Sequence, residues 1–148
     1  MKYLILLTFV FMTSSLMAAQ NELGLGAMLG NPAGLNGKYW LSDEVAIDGG
    51  IALSWGQHSD VSLHSDYLLH NMGAFFFDEV HPLDLYYGIG GRMEFGDDLE
   101  LGVRVPVGLA HRFTDQPADI FAEIAPILDF IGRIGVEIHF AVGGRYYF

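Results

Sequence analysis

The sequence predicts an all-β protein: an eight-stranded antiparallel up-and-down transmembrane β-barrel that follows a cleaved signal peptide. Three observations carry this. From Gly132 to Phe148, the residues Ile134, Val136, Ile138, Phe140, Val142, Tyr146 and Phe148 alternate with Arg133, Gly135, Glu137, His139, Ala141, Gly143 and Arg145. That is the period of a strand with one apolar and one polar face. Seven further segments alternate in the same way between turn-rich breaks. The third observation is composition: 19 glycines, 14% aromatic residues and a formal charge of -11 suit a small barrel, whose interior needs residues without bulk.

The N-terminus carries one charge at Lys2, an apolar run from Leu4 through Val10 to Met12, then Thr13, Ser14 and Ser15 and the small pair Ala18 and Ala19. This is the pattern of a secretory signal peptide, predicted over residues 1–19, with a barrel domain over 20–148. The apolar run is shorter than the roughly 20 residues of a helical span. The chain has no cysteine, which excludes lipoprotein anchoring and disulfides. No other segment reads as a membrane helix, so export leads to the periplasm, the exterior or the outer membrane. So acidic a chain would repel nucleic-acid phosphates, and no nucleic acid is expected as a partner.

In order, the first segment runs from Glu22 to Leu29 and breaks at Gly30, Asn31 and Pro32. The second spans Ala33 to Leu41 and ends at Ser42, Asp43 and Glu44. The third, Val45 to Trp55, sets Val45, Ile47, Ile51, Leu53 and Trp55 against Asp48, Gly50, Ala52 and Ser54. After a loop at Gly56 to Asp60, the fourth runs from Val61 to Phe75 and the fifth from Leu83 to Phe95. The sixth, Leu99 to Phe113, alternates valines and leucines with Glu100, Gly102, Arg104, Pro106, Gly108 and Ala110. The seventh, Asp119 to Leu128, is compatible with a short helix around Ala122, Glu123 and Ile124. Pro106 and Pro126 remove ladder donors and are read as bulges or local breaks. Eight strands of about 9 to 11 residues consume the mature chain, and their even number puts both termini on the periplasmic side.

Alternation alone leaves open which face points outward. Phased by their apolar residues, the segments place Lys38, Arg92, Arg104, Arg112, Arg133 and Arg145 on the polar face. Glu22, Asp48, Asp66, Asp84, Glu94, Glu100, Glu123, Asp129 and Glu137 fall there too, the remaining acids sit in turns, and the apolar faces carry no formal charge. The companions of those charges decide the matter. Gly88, Gly90, Gly102, Gly108, Ala110, Gly135, Ala141 and Gly143 suit the inside of a narrow barrel, where each Arg or Glu needs space beside a small residue. Trp55, Phe75, Phe76, Phe95, Phe113, Tyr146 and Phe148 lie near strand ends, where interfacial aromatic girdles belong.

The candidate functional residues follow from this phase. Lys38, Asp48, Asp66, Arg92, Glu94, Glu100, Arg104, Glu123, Glu137 and Arg145 form an expected interior charge network, since a charge shut away from water must be paired. An eight-stranded barrel leaves little more than side-chain space, so the network reads as a plug rather than a pore lining. His64, His70 and His139 are expected as interior histidines with their hydrogen bonds satisfied. Imidazoles near carboxylates suit a metal or a pH switch, but the spacing is no recognised ligand motif, and no metal, cofactor or catalytic residue is expected. The triplets His58, Ser59, Asp60 and His64, Ser65, Asp66 hold the residue types of a nucleophilic triad. Neighbours on a strand point to opposite faces, so Ser65 turns away from His64. Gly24, Gly26 and Gly30 lack the spacing and following helix of a dinucleotide loop.

Several phrases together resemble a known family: GNPAGLNGKYWL from Gly30, LHSDYLLH from Leu63, YYGIGGR from Tyr86, GVRVPVGL from Gly102, DIFAEIAPILDF from Asp119 and the closing GGRYYF. This set, covering most of the mature chain, is similar to small, functionally uncharacterised bacterial outer-membrane β-barrel proteins. The resemblance implies the barrel and an outer-membrane location, and it brings no catalytic or binding residue with it. A C-terminal aromatic such as Phe148 resembles the signal read by the barrel-assembly machinery. The short connections at Gly30 to Pro32, Gly56 to Asp60, Gly96 to Asp98 and Asp129 to Gly132 speak against a loop-built adhesin or receptor.

The expected function is therefore that of a monomeric integral barrel with a structural or envelope-interaction role, lipid as its surroundings, and no catalysis. Two other readings are a lipid-modifying hydrolase of the outer leaflet, for which no Ser and His motif appears on a lipid-facing surface, and a soluble periplasmic barrel binding a small apolar ligand.

Overall fold

A computed structural model of the chain describes residues 22–54, 60–76, 78–79 and 81–148. The predicted signal peptide, Trp55 and the His58–Ser59 pair lie outside the described residues. Nine strands follow one another: β1 Leu23–Asn31, β2 Ala33–Trp40, β3 Val45–Ser54, β4 Asp60–Phe76, β5 Pro82–Phe95, β6 Leu99–Arg104, β7 Val107–Arg112, β8 Ala118–Ile131 and β9 Gly135–Tyr147. All pairings are antiparallel, and the sheet returns on itself: β4 pairs with β5, both β6 and β7 bridge β5 to β8, and β9 pairs with β1. β6 and β7 are two pieces of one stave, so the ring has eight staves, closed with no free edge.

The break between β6 and β7 falls at Val105 and Pro106. Pro106 has no N–H to give to the ladder, while its carbonyl still accepts from Gly88 N at 3.0 Å. Pro126 corrects the sequence reading. It does not break its strand: β8 runs through it, with Pro126 opposite Ile138 of β9, and its carbonyl accepts from Val105 N at 2.9 Å. Its missing donor points at the β6–β7 interruption, where the ladder is already open, so the two prolines share one gap. β8 is a strand throughout, without a helical turn at Ala122 to Ile124.

The staves differ in length. β4 has 17 residues and β5 has 14, against 9 for β1 and 8 for β2, so one side of the wall is taller. A register shift between Asn71 and Phe75 lets the tall pair continue, and it carries Phe75 and Phe76 outward at that rim. Gly132, with φ of 85°, makes the tight β8–β9 turn, a conformation that a side chain would strain.

Burial runs opposite to that of a soluble barrel. Ile51, Ile89, Leu128, Phe140 and Val142 point out, Ile89 being 59% exposed, whereas Lys38 and Asp66 are each 1% exposed inside. The interior also holds a small apolar cluster of Met28, Ala52, Leu68, Tyr86, Ala110, Phe121 and Ala141 that fills space between the charges. Two apolar depressions, around Leu29, Leu109, Ala122 and Val142, are lined mainly by residues of the outer wall, with Ala141 and Phe121 of the interior cluster at their floors.

Candidate functional site

The barrel axis is occupied by a column of charged and hydrogen-bonding side chains, set there by the period of two along each stave. At the end near the β5–β6 and β8–β9 turns, Arg92 is a hub. Its guanidinium bonds Asp129 at 2.8 Å, Glu137 at 2.9 Å, Glu94 at 3.1 Å and Glu100 at 3.2 Å. His139 Nε2 lies 3.3 Å from the same guanidinium. A planar fork with several donors is the group able to serve so many acceptors at once.

Farther in, Arg104 donates from Nε to Asp66 at 2.8 Å and from Nη2 to Glu123. Tyr86 donates its hydroxyl to Glu123 at 3.0 Å and stacks against His70 at 5.2 Å. Lys38 completes this link, its ammonium 2.6 Å from His70 Nε2 and over the Trp40 ring at 4.4 Å. The third cluster belongs to Arg145, which donates to Asp119 at 3.0 Å, faces Asp48 at 3.8 Å and lies over the Phe121 ring at 4.1 Å. Tyr147 donates to the other oxygen of Asp119 at 2.7 Å. Toward the rim, Arg112 meets Asp84 at 3.2 Å and the Trp40 ring at 5.0 Å.

Glycine makes room for the column. Asp66 lies where a side chain on Gly90 would stand, and Asp129 where one on Gly102 would stand. A Cβ on Gly143 would come within 2.7 Å of the Phe121 ring, and one on Gly50 within 2.6 Å of His64. The carboxylates and rings fill the space that absent side chains leave, which is how a narrow barrel accommodates them.

The structure places the sequence-nominated residues as follows. Lys38, Asp48, Asp66, Arg92, Glu94, Glu100, Arg104 and Arg145 are buried inside, and Glu123 and Glu137 are partly buried on the same face. His70 and His139 are buried and His64 is partly so. Full satisfaction of the histidines is not observed: the Nδ1 atoms of His64, His70 and His139 are buried without a hydrogen-bond partner among the described residues. Phe148 points outward, packs edge-on against Tyr146 at 5.3 Å and donates its N–H to Leu23 O at 2.9 Å.

Four residues change assignment. Asp119, which opens the seventh segment but is not among the charges the sequence places on the polar face, is 1% exposed inside the barrel, where β8 begins one residue before it. Arg133, in the β8–β9 turn, and Gly135, the first residue of β9, are exposed and not interior, and Glu22 sits exposed at the rim, bonded by the Tyr39 hydroxyl. The sequence analysis missed Tyr86, although its signal was available in the phase, since it lies two residues from Asp84. Tyr147, which the phase of the last strand turns inward as Phe148 turns outward, is buried inside. Ser65 is exposed on the outer face while His64 turns inward, so that triplet forms no catalytic group.

No protein-family model and no curated protein matches this chain. Among solved structures it is similar to the N-terminal β-barrel domain of Pseudomonas aeruginosa OprF, with a TM-score of 0.63 and 16% identity, over 87% of this chain and 98% of that one. At that identity the likeness carries the fold, a closed antiparallel barrel.

Proposed function

We propose that this protein is an integral β-barrel of the bacterial outer membrane, exported through a cleaved signal over residues 1–19, with a structural or envelope-interaction role and no catalysis. The observation that carries the reading is the inverted polarity of the wall. Large apolar side chains point outward from staves on every side, and the paired charges are shut inside. Water gives no reason for that arrangement, while a hydrocarbon surrounding requires it, together with a ring that has no open edge. Lipid is then the partner of the outer face, the barrel-assembly machinery is the partner during biogenesis, and the barrel works as a monomer. The ionic column fills the axis and makes the barrel a rigid plugged cylinder instead of a conduit.

Fractionation tests this directly. The protein should stay with outer membranes through carbonate extraction and migrate differently on gels before and after boiling, as a folded barrel does. Recovery in the soluble periplasmic fraction without detergent would overturn the proposal.

A further inference from the structure

Asp48 and Asp66 stand directly opposite each other across the β3–β4 ladder, and His64 lies two residues from Asp66 on the same inner face. Like charges in directly opposed positions repel. One donor atom from each of the three residues lies within 4.8 Å of the other two. Each aspartate commits one oxygen to an arginine: Asp66 Oδ2 accepts from Arg104 Nε at 2.8 Å, and Asp48 Oδ2 faces Arg145 Nη1 at 3.8 Å. The remaining atoms are the unusual ones. Asp48 Oδ1, Asp66 Oδ1 and His64 Nδ1 are buried without a hydrogen-bond partner among the described residues, and the two aspartates are only 5% and 1% exposed. Buried acceptors are ordinarily paired, and leaving several unpaired in one place is costly.

We propose that Asp48, His64 and Asp66 form an internal site for a divalent transition-metal cation, Zn²⁺ or one of its class. Charge supports it. Arg104 is shared between Asp66 and Glu123, and Arg145 between Asp48 and Asp119, so two guanidiniums serve four carboxylates. Lys38, the cross-strand neighbour of Asp48, directs its ammonium to His70. These four carboxylates still outnumber the three cations beside them, and a bound metal cation offsets the excess. One imidazole nitrogen with two carboxylate oxygens suits Zn²⁺ better than Ca²⁺ or Mg²⁺, which take oxygen alone. A cavity of about 10 Å³ borders His64 together with Arg104, Glu123 and His139, with room for about one water beside that ligand, although neither aspartate lines it. The acidic group of Glu100, Asp129 and Glu137 differs in ligand type: it holds no imidazole, and the Arg92 guanidinium already bonds each of its three carboxylates.

The test starts from the full chain carrying His81→Gln and His111→Gln, which removes a second histidine pair, at the rim, whose rings are 5.4 Å apart. This background chain is unfolded in urea with a chelator, refolded into detergent micelles with zinc sulfate, gel-filtered, and its metal content measured by mass spectrometry; heat-modifiability scores folding. About one zinc per folded chain is expected. Asp48→Asn and His64→Gln should each weaken binding about tenfold or more while Glu137→Gln does not. A folded background chain without zinc, or unchanged binding in folded His64→Gln, overturns the site. Should His64→Gln not fold, Co²⁺ in the background chain decides: visible d–d absorption supports the site, and a featureless spectrum overturns it.

Discussion

Arg145 and Asp119 face each other as cross-strand partners of the β8–β9 ladder, 3.0 Å apart and both almost dry. Tyr147, two residues along β9, holds the second oxygen of Asp119, so one strand grips a single carboxylate at two points. A slip of β9 by one residue would send Arg145 and Tyr147 to the outer face and leave Asp119 inside without them, and the pair therefore fixes the register of the last two strands.

Arg145→Ala should cost about 3 to 5 kcal/mol, because it leaves Asp119 and Asp48 buried with a partner removed. The Arg145→Ala, Asp119→Asn double variant should lose less than the two single losses combined, as expected for groups in direct contact. Urea unfolding in micelles, followed by the folded and unfolded gel bands, measures this. Arg133→Ala, at an exposed turn, is the control, and equal losses for Arg133 and Arg145 would refute the argument.

Ile89→Arg tests the outer wall. Ile89 sits near the middle of β5 and points outward, where a charge in hydrocarbon should cost about 2 to 4 kcal/mol. In water the same change would be nearly neutral. Membrane yield and urea midpoint distinguish the two, and an unaffected protein would contradict a lipid-facing wall.

The staves and their phase were legible in the sequence because a period of two is a local signal, and charges absent from one face mark that face unmistakably. Ion-pair partners were not legible. Arg92 and Glu137 are 45 residues apart in the chain, and only the ring's closure and register bring them together. Asp119 was left out of the interior set for a related reason: it is the first residue of its segment, where the phase has no earlier neighbour to fix it, and its pairing with Arg145 places it inside. Pro126 was misread because its missing donor is harmless only opposite another proline's gap, a fact about a neighbouring stave.

Gly143→Val probes the space beside the column. Even its Cβ would come within 2.7 Å of the Phe121 ring, which itself lies under Arg145, so the substitution should overpack the interior at a cost of about 1 to 3 kcal/mol. Gly135→Val, where a Cβ meets nothing within 4 Å, should be tolerated. Similar urea midpoints for both variants would show that the interior is looser than these contacts imply.

Phe148→Asp and Tyr147→Phe separate the two faces of the last strand. The first places a charge on an outward aromatic rim position and should reduce assembled barrel several-fold. The second removes one hydroxyl from Asp119 and should assemble normally with a stability loss of about 1 to 3 kcal/mol. Pulse-chase assembly assays with gel-shift readout report both, and matching assembly defects would contradict the assigned phase.

The ring closes through β9, which pairs with β8 at twelve positions and with β1 at eight. Without β9 the other staves form at best an open sheet with two unsatisfied edges. No subset of the first eight strands is a finished ring, so closure is one event and not a gradual one. A cut within β9 therefore removes contacts from both seams at once, and the shape is settled by that single strand.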